Sequence, residues 1–329
     1  MANQGFRFFN NHVAETITLA GQYVLRHTES KIDEQLNVVF KTDGVKYHIY
    51  TDTDSIFFEL GAVVEKYCSG KTNEEITKML EKVAVDVLQS EVNKLVAECT
   101  DNMNVYENRI FFKLEKVASA GVFIAKKRYA VKVYSSEGVT YAKPKIAATG
   151  LDMVKSSTPL FIRNKLRSAL ELVFDSDESG VREYISSVRG EFDKLAVHEI
   201  AFPRGVSDLE KYADEKNIYK KGSGVGTPIN ARASLLYNSL IDKHDLVGKY
   251  PKITSGSKIR YVFLKIPNTL RENIIAFPAD ITLPSEFNLH RFIDRDLQWE
   301  KTMIASLQNI LDAIGWTATE QSSLNDFFS

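Results

Sequence analysis

The segment KYHIYTDTDSIFFEL, residues 46–60, constrains the fold more than any other stretch of the sequence. Its two halves are rich in β-branched and aromatic residues and flank the polar link TDTD, a pattern that predicts a β-hairpin. Asp52 and Asp54 therefore lie at or beside the tip of the hairpin. Aspartate is a good turn residue, and carboxylates one residue apart can also hold a hard divalent cation such as Mg²⁺. The local pattern leaves both interpretations open.

Size and composition narrow the possibilities. The chain of 329 residues, 44% hydrophobic and 26% charged, is typical of a globular protein of about two domains. No apolar run approaches the ~20 residues that a membrane span needs, and the first residues lack a signal pattern, so no membrane partner is expected. Cys68 and Cys99 belong to no Cys/His cluster, which indicates a reducing compartment without a disulfide framework or zinc site.

The distribution of charge is more informative than the net charge of −1. Lysine and arginine gather in the segments AKKRYAVKVY, YAKPKIAATG, MVKSSTP and EKNIYKKGSG. Local basic stripes on a nearly neutral chain suit a protein that holds a polyanion on one face. A mixed, solvated surface would give the same pattern, and it remains the alternative.

Periodicity predicts an α+β first segment. A long helix is expected over residues 12–38, because apolar residues recur there at three- and four-residue spacing. Its apolar residues are Val13, Ile17, Ala20, Val24, Ile32 and Leu36. Thr72 and Glu75 form a capping-box signature for a second helix that runs to about residue 97. Residues 109–149 are predicted to form strands, with a turn at Gly138, so that helices pack on an antiparallel sheet.

A change in pattern near KSSTP predicts a second domain. Thr158 suits an N-cap and Pro159 the first helical position. The chain beyond is predicted to be mostly helical, over about residues 159–174, 178–196, 229–242 and 295–314. The predicted domains are therefore 1–150, 151–314 and a tail of 315–329.

Three motifs in order, YTDTDS, KKRY and KSSTP, preceded by AETITLAGQ, resemble the family B DNA polymerases, and especially those of T-even-type phages. The family's carboxylate hairpin has the motif Tyr-Gly-Asp-Thr-Asp-Ser. This chain matches it at Tyr50, Asp52, Thr53, Asp54 and Ser55. The resemblance covers essentially the whole chain and implies that residues 1–150 are the carboxyl-terminal part of a palm domain and residues 151–314 a thumb domain.

The resemblance also implies a catalytic site. In the family, palm carboxylates hold two Mg²⁺ ions while the primer 3′-hydroxyl attacks the α-phosphorus of a dNTP and pyrophosphate leaves. It points to Asp54 first and Asp52 second as metal ligands, with Glu115 as a further candidate. Thr51 replaces the family's glycine. Because such a glycine often serves a positive φ or a close approach to the primer backbone, the threonine predicts a remodelled tip with some loss of rate or grip.

Basic residues are the predicted contacts with primer–template DNA. If AKKRYAVKV is a strand, Lys127 and Tyr129 share one face, and Lys126 and Arg128 the other. The resemblance points to Lys127 as a minor-groove contact near the primer terminus and to Lys155 as a primer-side contact. Two further candidate DNA contacts are Lys145 and Arg232. The alternative for each is a solvated charge, but beside the carboxylate hairpin DNA contact is favoured.

The tail QSSLNDFF has the spacing of a sliding-clamp-binding peptide. One helical turn would place its apolar side chains on one side as anchors for a hydrophobic pocket. The predicted clamp contacts are Gln321, Leu324, Phe327 and Phe328. The alternative is a tail that folds back on the second domain.

Motifs that are missing from this sequence shape the functional hypothesis. The family's Asp-x-x-Ser-Leu-Tyr-Pro-Ser and Lys-x-x-x-Asn-Ser-x-Tyr-Gly motifs do not occur, nor does an exonuclease signature. We therefore expect a split polymerase, in which a separate amino-terminal chain supplies exonuclease, fingers and the first palm aspartate. It would act in the cytoplasm of a phage-infected bacterium. The alternatives are a non-catalytic, clamp-tethered DNA-binding module and an unrelated metal-dependent phosphotransferase.

Overall fold

A computed structural model describes residues 1–214, 216–220 and 226–319 of the chain. Two units are distinguished: unit one consists of residues 1–119 and 133–145, and unit two of residues 120–132 and 146–329. The domain boundaries expected from the sequence stay predictions. The clamp contacts expected in the tail lie outside the described residues.

Strands in the described residues form small sheets. In chain order they are β1 (His48–Asp52), β2 (Ser55–Phe58), β3 (Lys116–Ala125), β4 (Arg128–Ser136), β5 (Val139–Thr149), β6 (Phe202–Gly205), β7 (Ala213–Asp214), β8 (Ile218–Tyr219), β9 (Lys258–Phe263) and β10 (Ile274–Pro278). β1 pairs with β2 and β7 with β8, while the three-stranded sheets have the orders β3–β4–β5 and β10–β9–β6.

Helices make up most of the remaining regular structure. In chain order they are α1 (Asn11–Phe40), α2 (Gly61–Tyr67), α3 (Asn73–Val83), α4 (Gln89–Asn102), α5 (Leu160–Asp175), α6 (Glu178–Phe192), α7 (Val197–Ile200), α8 (Leu209–Tyr212), α9 (Ile229–Lys243), α10 (Arg295–Trp299) and α11 (Ala305–Leu311). The predicted α+β fold class is confirmed. Among the described residues, no helix combines the length and apolar character that crossing a bilayer requires.

The core of unit one forms where α1 lies against α4 and the β1–β2 hairpin. The predicted first helix is confirmed: Asn10 caps its start by accepting a hydrogen bond from Val13 N at 3.1 Å, and Lys41, whose φ is 54°, is the C-cap after Phe40. The predicted capping box of Thr72 and Glu75 is present at the start of α3. A π-helical turn, Ala84–Leu88, joins α3 to α4.

Strand formation begins later than the sequence pattern predicts. Residues 109–115 lie outside the strands, and β3 begins at Lys116. The backbone of Phe112 is satisfied by a side chain instead of a strand neighbour, because its N–H donates to Asn93 Oδ1 at 3.0 Å. The turn predicted at Gly138 is confirmed, with φ values of 51° at Glu137 and 78° at Gly138.

Unit two has the predicted helices but a different helix start. α5 begins after Pro159, which takes the N-cap position, so the prediction of Thr158 as a side-chain cap is wrong. Thr158 is buried instead, with 5% of its surface exposed, and its N–H donates to Lys155 O at 3.1 Å. The proline ring at the cap leaves the helix no side-chain acceptor there.

The three-stranded sheet β10–β9–β6, which belongs to unit two, was not predicted from the sequence. β9 lies between its antiparallel neighbours β6 and β10, and α9 packs on β10. Every residue of β10 is buried, so its apolar run IIAFP lacks the alternation that identifies a half-exposed strand. A mostly helical second domain is therefore an incomplete description, because this sheet forms part of the unit-two core.

Candidate functional site

The carboxylate hairpin of unit one ends in the two-residue link Thr53–Asp54. Asp52 pairs with Ser55 across the hairpin, and Thr51 pairs with Ile56. The left-handed backbone conformation falls on Thr53, whose φ is 52°, and Asp54 N donates to Asp52 O at 2.5 Å. The predicted hairpin and the placement of both aspartates at its tip are confirmed.

Thr51 does not occupy the strained position that its replacement of glycine suggested. It lies within β1 and is absent from the residues with positive φ, so threonine is accommodated there without a left-handed backbone. Its hydroxyl lies 2.8 Å from His48 Nε2, which in turn lies 3.9 Å from Glu29 Oε1 on α1. Thr51 therefore imposes no left-handed backbone on the tip, and the expected loss of rate or grip stays a prediction.

Polar side chains of α1 hold the base of the hairpin. Asp33 Oδ1 accepts from Tyr47 N at 2.9 Å and from His48 N at 2.7 Å. Asn37 bonds both backbone groups of Val45: its amide donates to Val45 O at 2.7 Å and its oxygen accepts from Val45 N at 3.1 Å. The hairpin therefore takes its orientation from the helix.

The two aspartates differ in exposure. Asp52 is half-buried and accepts a hydrogen bond from Thr53 Oγ1 at 3.1 Å, whereas Asp54 is exposed. Within the part of the chain that the structure describes, no three carboxylate, histidine or cysteine side chains form a group able to hold a metal ion. Mg²⁺ commonly takes one or two carboxylates and completes its coordination with water and substrate phosphates. The donor set therefore fits Mg²⁺ as one part of a site.

Glu115 lies at the end of unit one's segment before β3. Its side chain is exposed and lies 3.5 Å from Lys116 Nζ, while its backbone oxygen accepts from Glu137 N at 2.7 Å. No grouping with Asp52 and Asp54 is present among the described residues, so its role as a metal ligand stays a prediction.

The basic motif of unit two forms a turn. Lys126 and Lys127 are the exposed two-residue link between β3 and β4, and Lys127 has a φ of 58°. The expected alternation of Lys126 to Tyr129 along one strand is therefore wrong for the lysines. A turn presents both lysine side chains beyond the end of the sheet instead of dividing them between its faces.

Gly150 supports this turn by close approach. A Cβ atom built on Gly150 would lie 2.0 Å from Lys127 O and 3.2 Å from Arg128 Cγ, and its φ is 65°. Any side chain at this position must displace the backbone of the turn. Arg128 begins β4, and its Nε is buried without a hydrogen-bond partner among the described residues. The ring of Tyr129 stacks on Phe123 at 5.6 Å between centroids.

The remaining candidate DNA contacts already have neighbours. Lys155 Nζ lies 2.9 Å from Asp152 Oδ1, and Lys145 Nζ lies 3.9 Å from the centre of the Tyr141 ring. Arg232 donates to Asn273 Oδ1 at 2.8 Å and lies 3.9 Å from Glu272. Of these three, Lys155 and Arg232 belong to unit two and Lys145 to unit one. Their contacts with DNA stay predictions.

The residues that support the two turns were not identified from the sequence. Asp33 and Asn37 belong to the polar face of a helix and carry no motif, so only the packed structure identifies them as anchors of the hairpin. Gly150 had a weak signal, because a single glycine after a strand pattern marks a turn or a close backbone approach.

Comparisons with known proteins agree on one family. The model of DNA polymerase family B matches residues 2–314. A DNA-directed DNA polymerase of Escherichia phage RB69 is 28% identical over 341 residues, and one of Enterobacteria phage T4 is 26% identical over 340; each alignment covers 100% of this chain. A DNA polymerase catalytic subunit of Psittacid herpesvirus 1 is 23% identical over 269 residues, covering 76% of this chain and 20% of its own length. The chain spans 37% of the length of the two phage relatives.

Proposed function

The chain belongs to DNA polymerase family B, and from this membership we propose that it is the carboxyl-terminal catalytic part of a DNA-directed DNA polymerase. The reaction is the template-directed transfer of a nucleotide from a dNTP to the primer. The primer 3′-oxygen loses its proton and bonds to the α-phosphorus, while the bond from that phosphorus to the bridging oxygen breaks and pyrophosphate leaves.

The carboxylate hairpin is the observation that carries this proposal. Asp54 lies in the two-residue turn and Asp52 directly before it, on a hairpin held by α1, and they are the residues that would hold Mg²⁺. When bound, a pair of Mg²⁺ ions would stabilise charge on the attacking and leaving oxygens. The chain's own task is to orient the two carboxylates, with Glu115 as a further proposed ligand.

Primer–template DNA is the proposed partner of the basic residues. The exposed β3–β4 turn with Lys126 and Lys127 is the main proposed contact. Arg128 and Tyr129, at the start of β4, are proposed to contact the DNA beside it, and the Tyr129 ring stacks on Phe123. The further proposed contacts are Lys155, Lys145 and Arg232. Lysine contacts with phosphates supply affinity that depends on salt, whereas contacts in the minor groove follow duplex shape.

Completion by a further polypeptide segment is part of the proposal. This sequence lacks the family's triphosphate-binding and first carboxylate motifs, and the chain covers only 37% of the phage relatives. We therefore propose that a separate amino-terminal chain supplies exonuclease, fingers and the first palm aspartate. The tail with Gln321, Leu324, Phe327 and Phe328 is proposed to bind a sliding clamp, in a phage-infected bacterial cell.

Primer extension with Mg²⁺ and dNTPs tests the proposed function. The chain is assayed alone, then with the co-encoded polypeptide that carries the remaining family B regions, then in that mixture with Asp54→Ala. We expect extension in the mixture alone and its loss with Asp54→Ala.

Two outcomes would contradict this function. A mixture that assembles on primer–template but never extends the primer would indicate the non-catalytic DNA-binding module. Extension or phosphotransfer by the isolated chain would indicate a different reaction, because two carboxylates alone do not complete the site.

A further inference from the structure

The apolar stripe of α1 is buried over only part of its length. Val24, Ile32 and Leu36 have 2%, 0% and 0% of their surface exposed. Val13 and Ile17 continue the same three- and four-residue spacing towards the helix start, yet they are 41% and 62% exposed. The apolar face of α1 therefore extends towards the start of the helix, beyond the part that the core of unit one covers.

Apolar side chains are exposed on more than this one stripe. Leu19 and Tyr23, which lie on the other side of the helix, are 55% and 42% exposed. The segment just before α1 adds three phenylalanines. The N-terminal apolar surface is defined here as Phe6, Phe8, Phe9, Val13, Ile17, Leu19 and Tyr23.

Charge separates the two parts of α1. Residues 11–23 include a single charged side chain, Glu15, whereas residues 24–40 include five: Arg26, Glu29, Lys31, Asp33 and Glu34. A helix surface that remains in water normally carries its charges on the solvated side. The part of α1 with the least protein around it is also the part least suited to water, which indicates that another surface covers it on several sides.

We propose that the N-terminal apolar surface is the docking site for the part of the polymerase that lies outside this chain. This inference rests on the proposed function. The alignments with the phage relatives cover 100% of this chain but 37% of the relatives' length, so the larger part of such a polymerase has no counterpart here. That larger part is the occupant to which the proposal commits.

A second copy of this chain suits the surface less well. An isologous dimer places one patch of each copy against the same patch of the other, which covers one side of a helix. Here apolar residues occur on both sides of α1 and in the segment before it, so the surface fits a groove that encloses the helix. The same helix carries Asp33, which holds the hairpin. Docking would therefore also fix the position of the helix that orients the two carboxylates.

Two charge-introducing variants test the docking site. Ile17→Asp and Leu19→Asp place a carboxylate on the surface, and Val38→Asp is the matched control, because Val38 lies on the same helix, outside the surface, and is 76% exposed. The probe is the co-encoded polypeptide with the remaining family B regions. We expect each surface variant to weaken its binding by about 30-fold or more, as loss of an interface anchor does, and the control to bind as the parent chain does.

Hydrogen exchange and melting provide the accompanying measurements. The probe should protect the amides of residues 11–23, and all three variants should melt like the parent chain because the substituted side chains are exposed. Unchanged affinity in the surface variants, or unchanged exchange in residues 11–23, would overturn the docking site. Self-association of the chain that Ile17→Asp weakens, without binding of the probe, would overturn the choice of occupant.

The same experiments distinguish a failure of the proposed function from a failure of the docking site. A complex that depends on Ile17 but never extends a primer would leave the docking site intact and remove the catalytic proposal. Extension that is abolished by Asp54→Ala but unaffected by Ile17→Asp at limiting probe concentration would leave the polymerase and remove the docking site.

Discussion

Two hairpin turns carry opposite charges in the two units. In unit one the link Thr53–Asp54 joins β1 to β2 and bears carboxylates, while in unit two the link Lys126–Lys127 joins β3 to β4 and bears ammonium groups. Each link includes one residue other than glycine in the left-handed conformation, with φ of 52° at Thr53 and 58° at Lys127. The two turns therefore have similar backbone conformations, but different contacts hold them in place.

The carboxylate turn is supported by hydrogen bonds and the lysine turn by shape. Asp33 and Asn37 hold the base of the first hairpin through several separate bonds. Gly150 supports the second turn through a contact that leaves no room for a Cβ. A turn held by several hydrogen bonds can lose one of them and keep the others. A close contact without free space cannot accommodate even one added carbon atom. The two turns should therefore respond differently to substitution.

The largest effect is expected at the tip of the carboxylate turn. Asp54→Asn removes a charge at the proposed metal site without changing the size of the side chain. We expect the rate of primer extension by the assembled polymerase to fall on the order of 10³-fold or more, since the loss affects charge stabilisation in the transition state. Single-turnover extension gives the rate, and DNA affinity measured in parallel should stay at the parent value.

Glu59→Gln is the matched control for that variant. Glu59 is an exposed carboxylate that follows the same hairpin, and it bonds Gly61 N at 2.6 Å instead of lying at the tip. If Glu59→Gln and Asp54→Asn reduced the rate equally, the effect would reflect the charge of the hairpin as a whole, and the special role of its tip would be lost.

Gly150→Ala should have the next largest effect. The added methyl group would meet Lys127 O at 2.0 Å, and alanine would also have to adopt a φ of 65°. We expect a loss of about 3 kcal/mol in the free energy of unfolding of unit two, together with a shifted lysine turn. Denaturant unfolding and DNA-binding titrations measure the two consequences, and DNA affinity should fall by about 10-fold or more.

Gly248→Ala is the control that separates the effect of the close contact from the general effect of replacing a glycine with alanine. A Cβ at Gly248 would meet no atom of the described residues within 4 Å. Gly248→Ala should leave stability and DNA affinity near the parent values. A Gly150→Ala protein that behaved like Gly248→Ala would show that the lysine turn does not depend on the close contact.

Lys127→Ala tests the charge of the second turn while Gly150 is left in place. Removal of one cationic contact should weaken DNA binding by about 10-fold and reduce the slope of log affinity against log salt by about one. Lys301→Ala, at an exposed lysine of unit two outside the turn, provides the control. Equal losses in the two variants would indicate a diffuse attraction between the whole chain and DNA.

The contrast between the turns also explains what the sequence could predict. The hairpin, its two aspartates and the first long helix were predictable, because their signals are local patterns of two-, three- and four-residue spacing. The lysine turn was placed on a strand, since KKRY contains no glycine, proline or asparagine to mark a link. A lysine with a φ of 58° is enforced by its surroundings, not by its own preference.

Long-range supports were beyond sequence reasoning. Gly150 contacts a turn more than twenty residues earlier, and Asp33 bonds the backbone of residues more than ten positions later. The buried strand β10 lacked alternation for the same physical reason, because both of its faces are covered by distant parts of the chain. Sequence patterns report the environment of one element, whereas these features depend on which elements meet.

A smaller effect is expected from the polar support of the carboxylate turn. Asp33→Ala leaves Tyr47 N and His48 N without their acceptor, so unit one should lose about 1–3 kcal/mol in its free energy of unfolding. Because Asn37 still holds Val45, the hairpin should persist and primer extension should be reduced but measurable. Glu34→Ala, at the exposed neighbouring position, is the control. Complete loss of extension in Asp33→Ala alone would mean that the polar support is as intolerant as the Gly150 contact.

The smallest effect is expected at Thr51, where the chain departs from the family motif. Since the left-handed residue is Thr53 and not Thr51, a glycine at position 51 meets no conformational need of this backbone. Thr51→Gly should lower stability by about 0.5–1 kcal/mol, because glycine loses more freedom within a strand, and it should also remove the contact with His48 Nε2. The extension rate should stay within about threefold of the parent rate, a difference of less than 1 kcal/mol in activation free energy. A rate increase well beyond that would mean that the threonine hinders close approach of DNA to the turn, and the two turns would then share a dependence on shape.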